Sequence, residues 1–155
     1  MTDPRTPAGL VSEWSRTTRI RSKSRGLRLQ PTVEAATEAR AWIREQFSGS
    51  LPLGALYDLL TVVTELVTNS VRHGPGAPID VRVQVADDGR VSGEVEDQGD
   101  GKVAIREITP GTGGFGLRLV DSIAERWGVY DGSTHVWFEL RPALSAATSS
   151  QDARR

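Results

Sequence analysis

Three short strings in this chain hold residue types that could do chemistry together. Glu65 and Asn69 stand four apart in TELVTNSVRHG. On a helix that spacing makes their side chains neighbours. A carboxylate beside an amide oxygen suits a hard cation such as Mg²⁺, and the carboxylate can also accept a proton. A solvated polar helix flank looks the same, and this string alone does not decide between the two. Asp97 opens Asp97-Gln98-Gly99-Asp100-Gly101, a D-x-G-x-G turn. Its two glycines let the chain pass close to a flat ligand. Gly111-Thr112-Gly113-Gly114-Phe115-Gly116 precedes the apolar residues Leu117, Leu119, Val120 and Ile123. Exposed N–H groups at a helix start of this kind form a cradle for phosphate oxygens.

These strings need elements to position them. At 100° per residue, Leu56, Leu59, Leu60, Val63, Leu66, Val67, Ser70 and Val71 cover one broad face of a helix over about 54–73. Asp58, Glu65, Asn69, Arg72 and His73 fall on the other. Gly74, Pro75 and Gly76 end the helix. The period then changes to two. Val81, Val83 and Val85 alternate with polar residues, Asp87-Asp88-Gly89 turns the chain, and Val91, Gly93, Val95 and Asp97 share one face of the returning strand. If the valines face the core, so does Asp97. A buried carboxylate needs a donor, and an adenine amino group would serve. An acidic turn at the end of an edge strand is the plainer alternative.

Around this centre the pattern predicts a strand at 27–30, a helix at 32–47 with Val33, Ala36, Arg40, Ile43 and Phe47 at helical spacing, a third helix at about 115–126, and strands at 128–130 and 136–140. The order βααββαββ implies an α+β fold, a two-layer α/β sandwich with helices on one face of a mixed, mainly antiparallel sheet. The glycine string also fits G-x-G-x-x-G, the dinucleotide fingerprint. Its context does not, because only 39 residues follow Gly116, too few for the rest of a doubly wound domain. A flexible linker is excluded by the helix that starts at Phe115.

The chain has 155 residues, 37% hydrophobic and 25% charged, with a net charge of −1. The balance is uneven. Residues 1–26 carry six cations against Asp3 and Glu13, a net +4, which leaves −5 for the rest. Composition divides the chain into a basic flexible arm at 1–26, a folding unit at 27–142, and a disordered tail at 143–155. There is no cysteine, so thiol chemistry is excluded, and His73 and His135 lie too far apart in sequence to suggest a zinc site. No apolar run approaches a membrane span and no signal peptide is visible, so a cytoplasmic protein is expected. Nucleic acid is not an expected partner, and only the basic arm points that way.

Taken in order, the three strings resemble the N, G1 and G2 boxes of GHKL (Bergerat-fold) ATP-binding domains. TELVTNSVRHG, VEDQGDG, GTGGFGLRLVDSIAERWGV and the closing VWFEL are similar to those of the small anti-sigma-factor serine kinases and their actinobacterial relatives. The resemblance covers about residues 27–141. It implies that Asp97 reads the adenine amino group, that Asn69 coordinates Mg²⁺ bridging the ATP phosphates, and that Glu65 is the general base. Gly99 and Gly101 permit close approach to the nucleotide, and Gly111, Gly113, Gly114 and Gly116 hinge the ATP lid and face the phosphates. The implied activity is serine phosphorylation of a STAS-type anti-anti-sigma protein by a kinase that also sequesters a sigma factor, typically as a homodimer. A non-catalytic ATP-dependent binding module is the alternative. A sensor histidine kinase fits less well, since no helical hairpin with a phosphoacceptor histidine precedes the domain and Glu65 stands where those enzymes commonly have Asn.

Two features depart from the family pattern. The family usually has a threonine just before the closing strand, near the adenine; counting back from VWFEL places His135 there, with Thr134 one residue earlier. Either could fill the role. The lid, about 102–113, is short, and Lys102 and Arg106 are its only cations.

Overall fold

The computed structural model describes residues 23–98, 115–130 and 135–141. Their elements run β1 (Lys23–Leu29), α1 (Ala35–Phe47), α2 (Leu53–His73), β2 (Ile79–Val85), β3 (Val91–Glu96), α3 (Phe115–Ile123), β4 (Ala124–Val129) and β5 (Val136–Leu140). The five strands form one sheet in the order β1-β2-β3-β5-β4. Every pairing is antiparallel, so the mainly antiparallel sheet expected from the sequence has no parallel pair among the described strands.

The helices cover one face. Leu29, Ile79, Val81, Val83, Val91, Val95, Val136, Phe138 and Leu140 turn inward from the strands and join the buried helix residues in one apolar cluster. On α1 the buried residues are Ala35, Ala39, Ile43 and Phe47, four apart throughout, which makes a single narrow stripe. On α2 the stripe is broader and runs from Ala55 to Ser70, because this long helix packs against α1, α3 and the sheet. The opposite sheet face is largely polar, although Trp137 is buried on it. Arg28 pairs with Asp80, Arg82 with Glu94, and Arg126 with Glu139, each across neighbouring strands. Alternation along the strands thus separates an apolar layer contact from a charged outer surface. Among the described residues no helix is long and apolar enough to cross a membrane.

Three boundaries differ from those expected. β1 begins at Lys23 rather than 27, so Lys23, Ser24, Arg25 and Gly26, counted with the basic arm, pair with Val85, Gln84, Val83 and Arg82. Cations on an edge strand protect it from pairing with other sheets, and they disguise it as a tail. α1 begins at Ala35 because Pro31 to Glu34 form a turn, in which Ala35 N–H donates to the Thr32 carbonyl at 3.1 Å. Val33 therefore lies outside the apolar stripe and is 86% exposed. α3 stops at Ile123 and β4 starts at once, where the sequence pattern continues the helix to 126. Val120 and Ala124 are both buried, which suits a helix. From Arg126 onward, pairing with β5 decides: Arg126 faces Glu139 and Trp127 faces Phe138, after a register irregularity at Ala124/Arg126.

The β2–β3 turn is the expected one. Gly89 holds φ +82°, Ala86 N–H donates to the Arg90 carbonyl at 2.9 Å, and the Asp88 carboxylate accepts from Arg90 N–H at 3.0 Å. A residue with φ above zero is why this tip takes glycine.

Candidate functional site

The long helix α2 supplies one wall. Its buried face fixes its rotation, and that rotation leaves Asp58, Arg72 and His73 exposed and Glu65 and Asn69 half-buried on the same flank. Glu65 and Asn69 lie one turn apart there. Among the described residues no hydrogen bond or ion pair engages either side chain.

The second wall is the end of β3. Burial alternates along Val91–Glu96, and the alternation carries one residue further, leaving Asp97 only 5% exposed on the helix side. The inward parity expected for this carboxylate is what the structure has. Gln98 then adopts φ +61°, unusual for a residue other than glycine, and its Nε2 donates to Asp80 Oδ2 at 3.2 Å on the outer face. The chain therefore turns sharply right after the buried acid.

The two walls meet at Gly74. This residue caps α2, its N–H donating to the Ser70 carbonyl at 2.9 Å. A Cβ added there would overlap the Ser70 carbonyl oxygen and stand 2.9 Å from Asp97 Oδ2. The helix terminus and the buried carboxylate are in direct van der Waals apposition. Neither Gly74 nor Gln98 was singled out from the sequence as part of a site. Gly74 read only as a helix stop, and the left-handed conformation of Gln98 has no signature in its residue type.

Of the remaining expected residues, Gly99, Gly101, Gly111, Gly113, Gly114 and Thr134 lie outside the described residues, as do Lys102 and Arg106. Gly116 is in the first turn of α3, which starts directly after the glycine string. Among the described residues no three His, Cys, Asp or Glu side chains gather as a metal site.

His135 falls on the other side of the sheet. Val136, Phe138 and Leu140 are inward, so His135 shares the outward parity of Trp137 and Glu139. Its Nε2 donates to Glu94 Oε2 at 2.8 Å, its Nδ1 lies 3.9 Å from Glu96, and its ring tilts against Tyr130 at 4.4 Å. The His135 hydrogen bond holds the Glu94 carboxyl below its ordinary range; burial opposes this, and Arg82 adds to it. Burial, then the Glu94 charge, pushes the Tyr130 phenol up. This outer cluster is separated from Asp97 by the thickness of the sheet.

Comparison with known proteins follows the same lines. The family model of the histidine kinase-like ATPase domain matches residues 29–140. Comparison with curated proteins gives no match. Among solved structures, the chain is similar to the RsbU and RsbW domains of Rv1364c from Mycobacterium tuberculosis, with 23% identity, a TM-score of 0.57 and 76% of this chain covered. The chain spans 31% of that structure's length, and at this identity the likeness bears on the fold. A helix with Glu65 and Asn69 on one flank, a buried Asp97 at the end of a neighbouring strand, and a family match that encloses both together establish that the chain belongs to the histidine kinase-like ATPase domain family.

Proposed function

We propose that the chain binds ATP with Mg²⁺ between the flank of α2 and the end of β3, and acts as an anti-sigma-factor-type protein serine kinase. The observation that carries this reading is Asp97, a carboxylate 5% exposed at the helix-side end of β3, against the terminus of α2. An acid there can accept one hydrogen bond from an adenine amino group, which guanine does not offer at the same position. His135 faces away from Asp97, so of the two residues before the closing strand Thr134 is the one assigned to the adenine.

Asn69 is assigned to the metal. It would offer one amide oxygen, a hard ligand suited to Mg²⁺, and among the described residues no carboxylate cluster stands beside it. A bound Mg²⁺ would supply charge to offset the negative phosphates. Glu65 is assigned as general base. It takes the proton of a partner's serine hydroxyl as that oxygen bonds to the γ-phosphorus; the bond from the γ-phosphorus to its bridging oxygen breaks, and ADP leaves. Gly99, Gly101, Gly111, Gly113, Gly114 and Gly116 are assigned to the nucleotide's surroundings and the lid. The partners proposed are a sigma factor and a STAS-type anti-anti-sigma protein, and the assembly a homodimer in the cytoplasm.

The test has two stages. Calorimetry with Mg²⁺-ATP and Mg²⁺-GTP should show binding of ATP alone. Incubation with γ-labelled ATP and a STAS-type partner should then label that partner on serine. ATP binding with no labelled partner would mark the chain as a non-catalytic ATP-dependent binding module. Absence of ATP binding would sink the whole proposal.

A further inference from the structure

A helix-capping glycine is usually needed because the cap takes a left-handed conformation. Gly74 is different. Its φ of −75° and ψ of 174° are open to any residue. What excludes a side chain is space. A Cβ would strike the Ser70 carbonyl oxygen, lie 3.3 Å from the Ser70 carbonyl carbon, and stand 2.9 Å from Asp97 Oδ2. Two of those atoms are backbone of a helix whose neighbouring residues Leu66 and Val67 are buried at 2% and 0% exposure. That wall is held by the core, so the overlap with the Ser70 carbonyl oxygen is relieved only by moving residue 74 itself away from it. The neighbour able to yield to that movement is the Asp97 carboxylate oxygen, at the end of β3 just before the chain turns at Gln98.

We infer that Gly74 is a positioning residue for the Asp97 carboxylate, and through it sets selectivity for a 6-amino purine. The inference rests on the ATP-binding reading. With hydrogen in place of a side chain, the terminus of α2 closes against Asp97 and fixes where its oxygens point. A hydrogen bond weakens steeply as its angle departs from linear, so a displaced carboxylate loses the amino group without losing the rest of the nucleotide. The same contact ties the adenine end of the site to the helix that carries Glu65 and Asn69. A methyl group at position 74 thus acts on base recognition from outside the ligand's contact surface.

The experiment uses the full chain and two probes, ATP and purine riboside triphosphate, which lacks the 6-amino group. The wild type should bind ATP about 10- to 100-fold more tightly than the analogue, the range expected for one hydrogen bond to a buried charged group. In Gly74→Ala that ratio should fall to within about threefold, while affinity for the analogue changes by less than about threefold. Gly74→Ala retaining the wild-type ratio would overturn the inference. So would an equal loss for both probes, which is the signature of general damage to the fold. A wild type that binds neither probe would instead defeat the ATP reading itself. If Gly74→Ala does not fold, Gly74→Ala/Asp97→Ala decides: recovery of cooperative unfolding assigns the clash to the Asp97 side chain, and continued failure to fold overturns the inference.

Discussion

Asp97 is 5% exposed where β3 ends, and in the proposed function its carboxylate accepts a hydrogen bond from the adenine amino group. Asp97→Asn keeps the shape but lets an NH₂ group face the adenine amino group, donor against donor. ATP affinity should fall by about 10- to 100-fold, ~1.5–3 kcal/mol, as read by calorimetry; an unchanged affinity would remove Asp97 from the site. Glu65 should behave differently. It sits one turn from Asn69, on the flank and not at the adenine end, so Glu65→Ala should change ATP affinity only a few-fold. Single-turnover phosphorylation of the partner should drop by ~10²–10⁴, the usual effect of losing a general base. Full phosphorylation by that variant would place the base elsewhere. On the outer face, Glu94 gives a pH prediction. Its carboxyl is held below its ordinary value of 4.5, first by the His135 hydrogen bond and also by Arg82. A depressed carboxylate contributes stability that is fully present above the unfolded value and is lost as pH falls through the folded one. His135, Arg82, Glu96 and Tyr130 face this group, and of these only His135 and Arg82 can carry positive charge. Wild type should thus be more stable than Glu94→Gln at pH 7, and the gap should close as pH falls below about 4.5. Urea melts at pH 7, 4.5 and 3 check this, and a gap that persists at pH 3 contradicts it.

At the scale of elements, the legible features were those whose pattern one surface imposes. α2 presents a continuous buried face, so its apolar spacing announced both the helix and the flank holding Glu65 and Asn69. β3 alternates cleanly, so the inward parity of Asp97 could be read eight residues downstream of Gly89. Features that long-range contacts decide were not legible. The sequence pattern continues α3 to 126, and pairing with β5 instead begins β4 at Ala124. Gly74 meets Asp97 across 23 positions of sequence, so nothing local marks it as more than a stop. Gly93 is a similar case. It reads as a weak point in a strand, yet a Cβ there would stand 2.5 Å from Phe138 Cζ and 2.7 Å from the Arg82 carbonyl oxygen. Phe138 is 0% exposed and occupies the space a side chain at position 93 would take. Gly93→Ala should destabilise the fold by about 1–3 kcal/mol through overpacking. Gly93→Ala/Phe138→Leu, with the ring removed, should lose less than the two single variants added together. Additive losses in denaturant melts would show that the glycine is not there to admit the ring.

For the molecule as a whole, the question is where the folding unit begins. Composition placed the boundary after residue 26, because 1–26 are basic and poor in apolar residues. The sheet places part of that stretch in β1, with Lys23 to Gly26 lying against Val85 to Arg82. Deleting 1–22 and deleting 1–26 should therefore give different proteins. The first removes only residues whose composition cannot build a core. The second also strips four residues of pairing from β2, whose Val83 is 1% exposed, and leaves backbone groups along β2 without partners. The cost should be on the order of 1–2 kcal/mol, with a fall in melting temperature of about 4 °C for each kcal/mol. ATP offers an independent readout, since a ligand at 100 times its Kd stabilises the native state by about 2.7 kcal/mol, a rise on the order of 10 °C for a domain of this size. The proposed site, between α2 and the end of β3, is two strands removed from the basic segment both in chain order and in the sheet. Both truncations should keep that ATP-dependent rise, and only the longer one should start from a lower melting temperature. Identical melts for the two would show that the Lys23–Gly26 pairing contributes nothing, and loss of the ATP-dependent rise on removing 1–22 would make the basic arm part of the nucleotide site.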